Sequence, residues 1–61
     1  MKNKIKEYRK QMGMSQDMLS KNVKVTRQTI NAIENDKYDP TLALAFKLAK
    51  AFNVTVDELF S

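Results

Sequence analysis

Between Thr26 and Lys37 the chain carries Arg27, Gln28, Asn31 and Asn35, with Thr26, Thr29 and Lys37 beside them. If this stretch is helical, Ile30 and Ile33 mark its buried side. At about 100° per residue, Gln28, Asn31, Ala32 and Asn35 then point away, and Arg27 lies to one side near the start. An exposed helix face is often Glu and Lys; this one is amides, one guanidinium and a methyl. Gln and Asn can pair bidentately with adenine, Arg with guanine, and an Ala methyl can touch the thymine methyl. Gln16, Thr26, Thr29, Asn35 and Lys37 fall at helix ends or just beyond, where short donors suit phosphate oxygens. The alternative is a neutral polar surface, and Thr26 is a helix cap on either reading. Catalytic chemistry is poorly supplied. There is no His and no Cys, so the commonest metal ligands, the usual general base and any disulfide are missing. The seven acidic residues form no visible metal cluster. The expectation is no metal, no cofactor and no enzyme activity.

These side chains need a scaffold, and the spacing supplies one. Ile5, Tyr8 and Met12 recur on one face of a first helix, followed by the only glycine, Gly13, at a position that favours left-handed backbone. An apolar residue, then Ser or Thr, then an apolar residue four further on occurs three times: Met14-Ser15 with Leu19, Val25-Thr26 with Ile30, Val54-Thr55 with Leu59. Each fits a hydroxyl N-cap with a hydrophobic staple, and Glu58 adds a capping box to Thr55. Pro40-Thr41 gives one more helix start. The spacing predicts five helices, over about 3–12, 15–22, 26–35, 41–52 and 55–60, with Asn53 turning the chain between the last two. The second and third, within 15–35, have helix-turn-helix spacing. Leu19, Val23, Val25, Ile30 and Ile33 are expected to pack them, and small Ser20 lies where they cross. The fourth helix is expected to bury Leu42, Ala45, Phe46, Leu48, Ala49 and Phe52. The four methionines, Met1, Met12, Met14 and Met18, are expected in the core or at helix ends.

The 61 residues make one domain, 1–61, only marginally stable alone. Net charge is +4 and unevenly spread. Residues 1–27 hold eight basic and two acidic side chains, and residues 28–61 three basic and five acidic. A basic end suggests a polyanionic partner, nucleic acid or an anionic membrane surface, or else a solvated helix face. The longest apolar run, Leu42 to Phe46, is far short of the ~20 residues a membrane span needs, and the basic start has no apolar stretch after it. The expectation is a soluble cytoplasmic protein without membrane contact.

Taken together, residues 5–60 resemble the Cro/C1-type helix-turn-helix family, also called the XRE family. The resemblance rests on Gly13-Met14-Ser15-Gln16, Val25-Thr26-Arg27-Gln28-Thr29-Ile30, Ile33-Glu34-Asn35, Lys37-Tyr38-Asp39-Pro40 and Asp57-Glu58-Leu59-Phe60. It implies an all-α, five-helix, lambda-repressor-like domain whose third helix enters the DNA major groove. It implies that Gln16, Arg27, Gln28 and Asn31 contact bases or nearby phosphates and that Asn35 and Lys37 hold the backbone. It also implies an Arg9–Glu34 ion pair, structural or merely exposed, and homodimers on palindromic operators. The sequence departs from the family at Lys24 and Asp36, where Gly is usual, at Ser20 for Ala, and at Met18, which leaves Ser15 without a capping-box partner. Lys24 either takes up left-handed backbone or changes the turn.

A transcriptional regulator that acts as a repressor is the leading expectation. An antitoxin-like protein-interaction module that also binds DNA is the alternative. Phe52, Val54, Val56, Leu59 and Phe60 exceed what one short helix can bury, so they are the expected dimer interface. No small-molecule effector site is expected in so short a chain.

Overall fold

Four hydroxyls begin four helices. Ser15, Thr26, Thr41 and Thr55 are extended, and each side chain accepts the backbone N–H three residues on, from Met18, Thr29, Leu44 and Glu58. In the computed structural model, which describes residues 2–61, the helices are α1 (Ile5–Gln11), α2 (Gln16–Val23), α3 (Arg27–Glu34), α4 (Leu42–Ala51) and α5 (Val56–Leu59). Four of the expected spans ran slightly longer, mainly because they counted the caps, and the second was shifted by one residue, taking in the Ser15 cap and stopping short of Val23. Glu58 returns a bond to the Thr55 backbone N–H at 2.9 Å, completing the capping box. Hydrogen bonds from the Thr55 backbone N–H, then from its hydroxyl, hold the Glu58 carboxyl below the usual carboxylate range. Its contribution is therefore present above the unfolded pKa and lost as pH falls through the lowered one.

The helix ends share one device. Gly13, Lys24, Asp36 and Asn53 all have φ between 57° and 64°. The residue after each sends its N–H back five positions: Met14 to Arg9, Val25 to Ser20, Lys37 to Ala32 and Val54 to Ala49, at 2.9–3.0 Å. This is the Schellman closure, which satisfies carbonyls the helix leaves open. Lys24, at φ 61° and ψ 46°, accepts left-handed backbone, so the turn keeps its shape without glycine. For an L-residue that conformation costs roughly 1–2 kcal/mol, less for Asn and Asp. Lys24→Gly is therefore expected to raise stability by up to about 1 kcal/mol, the remainder being offset by glycine's freedom in the unfolded chain. Asp36→Gly and Asn53→Gly should gain less. Urea unfolding at fixed protein concentration checks the order, and a lower midpoint for Lys24→Gly would refute it.

The core takes at least one side chain from every helix. Ile5, Leu19, Ile30, Ile33, Leu48 and Leu59 are each less than 2% exposed. Burial on that scale contributes ~2 kcal/mol per side chain. Val23, Leu44, Ala49 and Phe52 complete the cluster. Tyr8 of α1 stacks on Phe52, with ring centroids 5.9 Å apart, and the Lys4 N–H donates to the Leu59 carbonyl at 2.7 Å. The two ends of the chain are thus joined.

Three expectations need correcting. Leu42 and Phe46 are exposed, at 68% and 58%, while Leu44 is buried. The core side of α4 is set by Leu44, Leu48 and Phe52, and a residue two places away lies about 200° round the helix. Met12, expected on the apolar face of α1 with Ile5 and Tyr8, is exposed because α1 has ended before it; Met18, also exposed, lies in the first turn of α2, at a helix end as expected. Met14 packs against the core as expected, and Met1 lies outside the described residues. Finally, Phe52 and Leu59, assigned to a contact between copies, are buried within the subunit.

Candidate nucleic-acid interface

α2 and α3 are joined by Lys24, Val25 and Thr26. Val25 packs partly against the core, and the Val25 N–H is held by the Ser20 carbonyl. The three residues therefore form a fixed elbow. Ile30 and Ile33 turn the inner side of α3 into the core. The opposite side follows from the helical period: Arg27, Gln28, Asn31 and Asn35 are exposed, with Ala32 half-buried beside them. An α-helix with its side chains is about 10–12 Å across, which fits the ~12 Å width of a major groove.

Flanking groups are tied to α3 at both of its ends. The Thr26 and Thr29 hydroxyls are 2.9 Å apart, and Thr26 Oγ1 accepts the Thr29 N–H at 3.1 Å, so the cap at the start of α3 is doubled. Gln16, half-buried at the start of α2, donates from Nε2 to Glu34 Oε1 at 3.1 Å. Glu34 also accepts from Arg9, at 2.9 Å from Nε and 3.3 Å from Nη2. Arg9 Nη1 donates to the Met14 carbonyl at 2.9 Å. The side chains of Arg9 and Glu34 are only 12% and 4% exposed. This is a structural pair joining α1 to α3, and it reaches Gln16 through the carboxylate.

Lys37 is exposed just past α3. Asp36, a negative charge beside the face, accepts from Asn3 Nδ2 at 3.3 Å. The same nitrogen donates to the Ile33 carbonyl at 2.8 Å. Sequence spacing gave no signal for this tie, because its partners lie far apart along the chain. Asn35 Nδ2 donates to both the backbone and side-chain oxygens of Asn31. That contact was missed although four-residue spacing on a helix allows it.

A separate open groove runs between α4 and α5. It is lined by Phe46, Ala49, Val54 and Val56, with Lys50 and Asp57 also lining it. Of the expected contact residues, Val54, Val56 and Phe60 remain partly exposed. Among the described residues, no acidic cluster could hold a metal ion, and no helix is long and apolar enough to cross a membrane.

Two short helices joined by a fixed elbow, the second presenting amides and a guanidinium, define a helix-turn-helix DNA-binding domain on a lambda-repressor-like fold. A family model described as helix-turn-helix matches residues 5–59. The chain belongs to the Cro/C1-type, or XRE, family and is a transcriptional regulator with a helix-turn-helix domain. It is 53% identical over 60 residues to an HTH-type transcriptional regulator of Methanocaldococcus jannaschii, covering 98% of this chain and 91% of that protein. It is 50% identical over 60 residues to the HTH-type transcriptional regulator YgzD of Bacillus subtilis, covering 98% and 91%. The restriction-modification controller protein C.AhdI of Aeromonas hydrophila superposes with a TM-score of 0.84 at 28% identity, over 92% of this chain and 85% of that one.

Proposed function

We propose that this regulator is a repressor that binds a palindromic operator as a homodimer, with α3 in the major groove. The observation that carries the reading is the outer face of α3, where Arg27, Gln28 and Asn31 stand exposed on a helix whose other side is core. Arg27 and Gln28 read base edges. Asn31 lies one turn further along. Thr26, Thr29 and Gln16 at the helix starts, and Lys37 beyond α3, face the phosphates. The dimer contact lies in the groove of Phe46, Val54 and Val56, with Phe60 beside α5. Opposite charges on Lys50 and Asp57 of the same groove suit self-pairing about a two-fold axis. Occupied half-sites are then about one DNA turn, roughly 34 Å, apart.

Selection from a random DNA pool, followed by footprinting, tests this directly. Gln28→Ala is expected to weaken binding to the selected site by about 1–3 kcal/mol and to relax preference at one position of each half-site. Lys37→Ala should weaken all sequences alike and lower the salt slope by about one unit. Unchanged preference in Gln28→Ala would mean that another face reads DNA. A footprint on a single half-site would rule out the dimer.

A further inference from the structure

We propose that Asn35 sets the direction of the Asn31 amide, so that Asn31 meets DNA as a hydrogen-bond donor and selects the keto bases, guanine and thymine. The inference rests on α3 lying in the major groove and adds what one of its residues reads. It begins with a backbone carbonyl. Asn35 Nδ2 lies 2.9 Å from the Asn31 carbonyl oxygen. A carbonyl only accepts, so the group facing it must be the amide nitrogen. The same nitrogen faces the Asn31 side chain. An amide NH2 only donates, so the Asn31 atom that meets it is Oδ1. Both amides are thereby oriented, and the choice follows from a fixed backbone atom.

Two consequences follow. Asn31 Oδ1 is turned back along the helix and already accepts, leaving the NH2 end of an exposed side chain as the part free to meet DNA. Bidentate pairing with adenine needs both ends, the oxygen for N6–H2 and the nitrogen for N7. An outward NH2 instead matches acceptors, N7 and O6 of guanine or O4 of thymine; on adenine it can reach N7 alone, without the second bond and beside an amino donor. It opposes the amino groups of adenine and cytosine. The second consequence concerns Asn35. With Nδ2 directed to both oxygens of Asn31, the side chain has only Oδ1 to offer, an acceptor unsuited to a phosphate oxygen. Its backbone N–H is also held by the Asn31 carbonyl, at 3.1 Å. Asn35 is therefore a positioning residue, and the phosphate contact at this end of α3 falls to Lys37.

The test is selection from a random DNA pool with the full chain, its Asn31→Ala variant and its Asn35→Ala variant. Circular dichroism and unfolding midpoints establish that each is folded. Asn31→Ala locates the base that Asn31 reads. At that position the unaltered protein should take guanine or thymine over adenine by about tenfold. Asn35→Ala frees Oδ1, so adenine should recover to within about twofold of the keto bases. In the DNA-free protein, the side-chain amide protons of Asn35 should exchange more slowly with water than those of Asn31. A preference for adenine in the unaltered protein, or an Asn35→Ala profile equal to it, would overturn the proposal. So would an Asn31→Ala variant that weakens every sequence alike. None of these results touches the placement of α3, which stands or falls on Gln28→Ala.

Discussion

Replacing Glu34 by alanine is expected to leave most of the protein unfolded at 25 °C. The Glu34 carboxylate meets three donors, two from Arg9 and one from Gln16, and its side chain is 4% exposed. Removing it strands the Arg9 guanidinium, itself 12% exposed, with the Met14 carbonyl as its remaining partner. Breaking one side of a buried ion pair costs about 3–5 kcal/mol, because the other charge stays desolvated and unpaired. A domain of this size rarely has more than ~3–5 kcal/mol in hand. The loss is therefore of the order of the whole stability. Far-ultraviolet circular dichroism against urea measures it, and a drop below about 1 kcal/mol would show that water reaches the pair and screens it.

The pair need not stabilise the fold relative to an apolar filling. Two charges removed from water repay only part of their hydration, and well-packed apolar substitutes are often neutral or better. Arg9→Met with Glu34→Leu is accordingly expected to fold nearly as well as the parent. What that double variant cannot restore is the hold on Gln16, whose Nε2 donates to Glu34 in the parent. Its DNA affinity should therefore fall although its stability does not. A charged pair at this place links the packing of α1 on α3 to the orientation of a side chain at the start of α2.

What was legible in the sequence was what is local. A capping hydroxyl and the N–H it binds are three residues apart, so Ser15, Thr26, Thr41 and Thr55 marked their helices correctly. The outer face of α3 was equally readable, because Ile30 and Ile33 fix its rotation. Leu42 and Phe46 were misread because an apolar run carries no phase; only Leu44 and Leu48 packing together reveals which side is inside. The left-handed backbone at Lys24 and Asp36 was legible only through the family resemblance, which puts glycine at both places, and not from the residues themselves. Their left-handed backbone follows from the helix closures that hold Lys37 and Val25, and these override the preference of the residue itself. The coupling of Gln16 to Glu34 depends on how α2 meets α3, which neither helix encodes alone.

Leu59 distinguishes packing within one subunit from packing between two. Its surplus of apolar neighbours near the C-terminus suggested a contact between copies, yet it is 0% exposed in the single chain. Its carbonyl accepts the Lys4 N–H at 2.7 Å, and the α5 helix that carries it has four residues, too few to be stable unless packed. Leu59→Ala should therefore leave a cavity between α5 and the rest and cost about 2–5 kcal/mol. Because the lost contacts belong to one subunit, the loss should be the same at low and high protein concentration. Phe46→Ser, at an exposed position on the α4–α5 groove, should do the opposite. It should leave the unfolding of dilute protein within about 0.5 kcal/mol of the parent and remove the concentration dependence that a dimer imposes. Urea midpoints for both variants across a wide protein concentration range make the comparison. Where Leu59→Ala unfolds without denaturant, titration with trimethylamine N-oxide recovers the transition. If the Leu59→Ala loss shrinks as the parent is diluted, Leu59 holds two copies together and α5 must move away from its own core to do so.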